Sequence, residues 1–323
     1  MKKNYLLWAV LLLLAAAVIF ATCRTTGGGR DDTVTDGISI GDVVPGKGRL
    51  IWREEFEGDS LDRTKWNYDT GNGVHYHPDL LWWGNNEKQW FHEDNVRVAD
   101  GKLIIEAKKR EFGGMHYTSG KITTAGVKDP LFGKVTKRTF ITGKTGYVEG
   151  RVKSPRGAGF WPNFYLLGAN NMEYSGFRSV SWPRCGEVCI FEAKGHELDR
   201  VWQTIHYGTS YPARYWYKSN VTTVENIGDN YHIYGVGWDK SELRFYINGE
   251  LTATINFPLP EEWEGANSAT FYNGPGFAIQ INLALGGYFL SPDANMVPDD
   301  SVLTSNDWEA RSLMIDWIRV YQN

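Results

Sequence analysis

Cysteine is scarce in this chain, with three in 323 residues. Cys185 and Cys189 lie four apart in what reads as an extended segment. At about 3.3 Å per residue their Cα atoms stand roughly 13 Å apart, beyond the roughly 7 Å limit of a disulfide. Stability therefore rests on a hydrophobic core rather than on cross-links. The same count and spacing give no metal-ligand cluster of the zinc type. An excess of charge is lacking too. Lys and Arg number 34 against 38 Asp and Glu, a net charge of −4, so there is no electrostatic reason to expect nucleic acid or another polyanion as partner. Beyond the first residues no segment sustains a long helical period, and no internal repeat is found.

What is present is the composition of a folded protein: 42% hydrophobic, 14% aromatic and 22% charged residues. Lys2 and Lys3 precede an apolar run of 17 residues from Tyr5 to Ala21, the pattern of an export signal and a little short of the roughly 20 residues that span a bilayer as a helix. Ala21-Thr22-Cys23 is similar to the lipobox of bacterial lipoproteins. Residues 1–22 are thus expected to be a lipoprotein-type signal peptide, with Cys23 lipidated after cleavage. An uncleaved membrane anchor is the alternative, and either way the folded part is expected outside the cytoplasm, on an outer membrane or cell surface, otherwise periplasmic or secreted. Residues 23–48 hold Gly27-Gly28-Gly29 and scattered Asp and Thr, which reads as a flexible tether. From Arg49 the composition is uniform, so residues 49–323 read as one domain.

Short alternating runs dominate that domain: Lys102–Ala107, Gly146–Lys153, Leu243–Asn248 and Met314–Tyr321. Turn pairs such as Asp100-Gly101 and Asn248-Gly249 bound them and argue for antiparallel hairpins. The expected architecture is all-β, a jelly-roll sandwich of two packed antiparallel sheets.

One strand carries chemistry. Trp182-Pro183-Arg184-Cys185-Gly186-Glu187-Val188-Cys189-Ile190-Phe191-Glu192 places two carboxylates in a run of strand-forming residues. On a regular strand Glu187 and Cys189 share a face, while Glu192, five residues along, points to the other. A β-bulge of one extra residue restores it, and bulges gather beside active sites because they re-aim side chains. Two carboxylates on one face suit retaining glycoside hydrolysis, where one attacks the anomeric carbon and the other protonates the leaving oxygen. A solvated strand face with paired charges is the competing reading of the pair alone.

The surrounding motifs favour the first. This segment resembles the ExDxxE signature of glycoside hydrolase family 16, especially its laminarinase-like endo-β-1,3-glucanases. The similarity continues in family order through Arg53-Glu54-Glu55-Phe56, Trp83-Gly84-Asn85-Asn86-Glu87, Gly159-Phe160-Trp161-Pro162, Ile205-His206-Tyr207-Gly208, Asn282–Gly287 and Ile315–Gln322. The resemblance implies a curved jelly roll with a sugar chain lying across its concave sheet. It implies Glu187 as nucleophile and Glu192 as general acid/base, with no cofactor needed for catalysis. Trp161, Trp83 and Trp182 are expected as sugar platforms, with Asn85 in the matched loop. Arg151 is expected on a strand next to the catalytic one, holding sugar hydroxyls or orienting Glu187, and His206 in the cleft near the acid/base. Glu55, Gly101 and Asp316 correspond to positions that hold a structural Ca²⁺ in many members. The stretch Asn170–Ser181 is longer than the usual connection and would shape one end of the cleft.

Cys189 departs from the pattern, standing where the family has Asp. A thiol is a weak donor and mostly neutral at pH 7, so the expected activity is β-1,3-glucan or mixed-linkage β-glucan hydrolysis at a reduced rate. A non-catalytic glycan-binding protein and a marine galactan hydrolase of the agarase or carrageenase type are the alternatives. The expected partner is a β-glucan, and any membrane contact runs through the lipid anchor.

Overall fold

The alternating runs read from the sequence form strands, and the computed structural model describes residues 38–171, 180–264 and 267–322. In chain order the strands are β1 (Val43–Val44), β2 (Gly48–Glu54), β3 (Asn67–Tyr68), β4 (Gln89–Phe91), β5 (Val96–Ala99), β6 (Lys102–Glu106), β7 (Lys108–Phe112), β8 (Met115–Ser119) and β9 (Lys121–Thr123). There follow β10 (Gly146–Lys153), β11 (Phe160–Gly168), β12 (Glu187–Glu192), β13 (Arg200–Ser210) and β14 (Arg214–Thr223). The last are β15 (His232–Trp238), β16 (Glu242–Ile247), β17 (Glu250–Asn256), β18 (Phe277–Leu285) and β19 (Ser312–Gln322). Among the described residues no helix is long and apolar enough to cross a membrane.

Two sheets face each other. One has nine strands, ordered β1-β2-β19-β10-β15-β16-β17, with β6 also on β19 and β5 beyond it. The other has seven, ordered β14-β13-β12-β11-β18-β9-β3, and a small sheet β4-β8-β7 stands beside them. Phe164, Ile205 and Ile281 from the seven-stranded sheet meet Val148, Val236, Phe245 and Ile318 from the other in one buried cluster. Each such side chain removed from water contributes about 1.5–3 kcal/mol, the main favourable term holding the layers together. Asp100-Gly101 and Asn248-Gly249 both have positive φ at their two residues, as two-residue hairpin turns require, and they join β5 to β6 and β16 to β17. Cys185 and Cys189 form no disulfide, as their spacing requires.

The domain starts earlier than composition suggests. Its compact unit begins at Ser39, and β1 pairs with β2 through Val43↔Arg49 and Val44↔Gly48. Residues 39–48 therefore belong to the folded unit rather than to a tether, with Val43–Val44 and Gly48 in the sheet. Val43 is 65% exposed and β1 is only two residues long, too short for the alternating run by which a strand announces itself in sequence. The export segment, Cys23 and most of the stretch 170–181 lie outside the described residues.

Candidate active site

The odd spacing of the two glutamates resolves as a bulge. On β12, Cys189 lies opposite Thr204 and Glu192 opposite Trp202, so three steps on β12 match two on β13. On the other side Cys189 pairs with Tyr165 and Phe191 with Phe164. Ile190 and Phe191 both turn into the core, with no exposed surface. Glu187, Cys189 and Glu192 consequently share the face of the seven-stranded sheet turned away from the core.

The two carboxylates sit in different surroundings. Trp182 Nε1 donates to Glu187 Oε2 at 2.9 Å, and Cys189 Sγ donates to Glu187 Oε1 at 3.3 Å. Glu187 keeps partial access to solvent. Glu192 is 4% exposed. Trp161 Nε1 donates to its Oε1 at 3.1 Å, and Cys189 and Thr204 also bond to it. Burial first, and the charge of Glu187 second, push the Glu192 carboxyl up to about 7, against the hydrogen bonds that lower it. It therefore holds a proton near neutral pH, although the middle carboxyl of the signature is missing. The Cys189 thiol is pushed well above its usual range, by burial first and by its two glutamate neighbours next, and stays neutral.

His206 lies directly across from Glu187 on β13. Its Nδ1 is hydrogen-bonded with the Tyr215 hydroxyl at 2.7 Å, and the two rings are nearly parallel. Burial lowers its pKa while Glu187 pulls the other way, and the imidazole is neutral at pH 7. Trp182 packs against His206, Tyr211 and Tyr215. Tyr211 and Tyr217 are 64% and 61% exposed, so this aromatic group reaches outward along β14, the edge strand. These tyrosines were not among the site residues expected from the sequence. Their alternation in Tyr215-Trp216-Tyr217 was the available signal.

Trp161 is only 9% exposed. Its ring stacks on Phe289 while its N–H holds Glu192, so it orients the acid rather than offering an open platform. Trp83 lies over β9 toward the other edge of the sheet, while the backbone of Asn85 borders Gly287, which also lies against the Trp161 ring. Lys121 Nζ of β9 stands 3.9 Å from the Trp83 ring centroid and pairs with Asp69 at 3.1 Å, both charges buried. Asn85 Nδ2 donates to Glu87 at 3.1 Å, and Gln89 donates to the same carboxylate. Tyr165 feels Glu187, Asp69, Glu87 and Cys189 together, which makes it the bridge between this polar group and the glutamate pair.

Arg151 is elsewhere. It lies on β10 in the nine-stranded sheet, between β15 and β19. Its guanidinium pairs with Asp316 and stacks on Tyr231, so it neither orients Glu187 nor faces the glutamates. The alternating pattern of Gly146–Lys153 fits either sheet and could not tell them apart.

The three calcium candidates stand on or next to strands that pair with one another. β19 pairs with β2 through Ile318↔Glu54 and with β6 through Ile315↔Leu103, so Glu55 just past β2 and Gly101 just before β6 both reach β19 near Asp316. Two carboxylates and a carbonyl are hard oxygen donors that suit Ca²⁺. Both carboxylates face arginines here, Glu55 with two 3.0 Å bonds from Arg319 and Asp316 with Arg151. A cation must displace those guanidinium groups to bind.

Comparison with known proteins agrees with this geometry. Residues 53–323 match the family described as "Beta-porphyranase A-D, GH16 domain". Glucan endo-1,3-beta-glucosidase A1 of Niallia circulans is 31% identical over 291 residues, which cover 84% of this chain and 38% of that protein. The chain thus spans well under half the length of that relative. A laminarinase structure from Flavobacterium sp. UMI-01 is 33% identical with a TM-score of 0.64, over 85% of this chain and all of the other. The endo-beta-1,3-glucanase of Pyrococcus furiosus is 28% identical with a TM-score of 0.69, over 88% of this chain and 98% of the other. The jelly-roll sandwich, the bulged strand and the ordered motifs thus have one common explanation: the chain belongs to glycoside hydrolase family 16.

Proposed function

We propose that this chain is a retaining endo-β-glucanase that cleaves β-1,3-glucan of the laminarin type or mixed-linkage β-1,3-1,4-glucan. The observation that carries the reading is the asymmetry of the glutamate pair on one sheet face. Glu187 is partly exposed and held by two donors, while Glu192 is buried and protonated near pH 7. A Glu187 oxygen attacks the anomeric carbon as the glycosidic bond breaks, and the Glu192 proton passes to the departing oxygen. Water then displaces Glu187, giving its proton back to Glu192, and configuration is retained. The laminarinase neighbours support β-1,3-glucan as substrate. The family description supports a second reading, a galactan such as porphyran. Reducing ends released from laminarin, lichenan, agarose and porphyran, beside a Glu187→Gln control, separate the two. Affinity for laminarin with no new ends would instead leave a glycan-binding protein.

The state of Glu192 gives a pH prediction. Its neighbours are Glu187 and Cys189 on its own strand and the neutral Trp161 and Thr204 on β11 and β13. The acid must carry its proton to act, so activity is present below its pKa and falls, about tenfold per pH unit, above it. The alkaline limb of kcat/KM is expected near pH 7. A limb two units higher would remove Glu192 as the acid.

We also propose a structural Ca²⁺ at Glu55, Gly101 and Asp316, tying β2 and β6 to β19. At a hundredfold excess over its Kd such an ion adds about 2.7 kcal/mol. A rise of several degrees in Tm between EGTA and CaCl₂ is expected, and an unchanged Tm removes the ion.

A further inference from the structure

Cys189 creates something that an aspartate would not. One oxygen of Glu187, Sγ of Cys189 and a ring nitrogen of His206 lie within 4.8 Å of one another, on adjacent strands β12 and β13. Among the described residues this is the one such group of three or more His, Cys, Asp and Glu side chains. Spacing along the chain hid it, because His206 arrives from the neighbouring strand.

We propose that Glu187, Cys189 and His206 bind a zinc ion, and that its occupancy switches hydrolysis off. Zn–S bonds of about 2.3 Å and Zn–N or Zn–O bonds of about 2.0 Å place tetrahedral ligand atoms about 3.5 Å apart. Cys189 Sγ and Glu187 Oε1 are already 3.3 Å apart, and the imidazole, within 4.8 Å of both side chains, has to close in by at most about 1.3 Å. The donor set is one that zinc favours over Ca²⁺ or Mg²⁺, since a thiolate and an imidazole outweigh the single carboxylate. Nδ1 of His206 already bonds with the Tyr215 hydroxyl, so Nε2 is the nitrogen assigned to the metal. Tyr215 and Trp182, bonded to His206 and Glu187, then form the outer layer that fixes both ligands. As the ion binds, the thiol proton leaves to solvent and the Zn–S bond forms in its place. The fourth position stays open to water.

The consequence for hydrolysis rests on the reading of Glu187 as nucleophile. An oxygen committed to zinc cannot attack the anomeric carbon, so metal and turnover exclude each other. Cys189→Asp would leave two carboxylates and one imidazole, a weaker zinc site.

The test separates binding from activity. The full chain carrying Cys23→Ser and Cys185→Ser, so that Cys189 is the only thiol, is titrated with ZnCl₂ by calorimetry and with CoCl₂ by absorption. One equivalent of Zn²⁺ and a thiolate-to-cobalt charge-transfer band are expected. Removing even an outer-shell partner typically lowers metal affinity about 10–100-fold, so Cys189→Ser and His206→Gln should each lose about 100-fold or more. Unchanged affinity in either variant, or no charge-transfer band, overturns the proposal. Laminarin hydrolysis is measured in parallel, with EDTA restoring what zinc removes. Inhibition that persists in Cys189→Ser also overturns it. Cys-dependent zinc binding in a chain inactive on every glycan with and without EDTA supports the metal site while sinking the glucanase reading.

Discussion

Glu187→Gln is expected to lower laminarin hydrolysis by about 10⁴-fold or more, with the folded structure and Tm unchanged. The amide has the shape of the carboxylate, and its oxygen still accepts from Trp182 Nε1, so Trp182, His206 and Tyr215 keep their packing. It cannot form the ester bond to the anomeric carbon. Glu187→Ala sharpens the assignment by leaving room for a small anion. Azide should then react from the same side of the sugar and give a glycosyl azide of inverted configuration, detectable by NMR. Glu192→Gln removes the proton instead, so it should be severe on polysaccharide and mild on aryl glycosides whose leaving group needs no protonation. Loss of less than about tenfold in Glu187→Gln would transfer the nucleophile's role elsewhere.

Cys189→Asp should raise turnover on laminarin by about 10²-fold. A positioned proton-transfer or orienting group contributes about 10²–10⁴ in rate, and the structure indicates which part is missing. Acidity is already supplied, because burial and Glu187 hold Glu192 up to about 7 without help from position 189. What the thiol supplies poorly is a firm hydrogen bond to Glu187, at 3.3 Å from a weak donor. The gain should therefore fall at the lower end of that range and appear in kcat rather than KM. An added carboxyl also places a third like charge beside Glu192, which raises its pKa further and moves the alkaline limb upward relative to the native chain. Unchanged kcat would show that the thiol is no handicap. An unchanged limb would count against the electrostatic account.

Much of this site was legible in the chain because it is local. Glu187 and Glu192 stand on one strand, five apart, and strand parity requires a bulge for them to share a face, which the register with β13 contains. The Asp-Gly and Asn-Gly turns were equally local. Arg151 was placed beside the catalytic strand by the family resemblance, and the alternation of its own strand, which states which residues share a face and not which sheet it joins, offered no correction. Trp161 was expected as a platform from its family position, whereas its packing on Phe289 and its bond to Glu192 depend on segments far along the chain. The Lys121–Asp69 pair, 52 positions apart, and the tyrosines of β14 were missed for the same reason. Residues 39–48 joined the domain through backbone pairing, which leaves little trace in composition.

The bulge at Ile190 and Phe191 separates two kinds of heritable change. Replacing the side chain at 189 leaves the count of residues between the glutamates untouched, so the pair keeps its geometry while its chemistry is retuned from oxygen to sulfur. Losing a single residue from that interval would reverse the parity of everything after it, turning Glu192 inward and Ala193 outward. Length along this stretch is in effect a digital setting and identity at 189 an analogue one, and this chain has moved only the second.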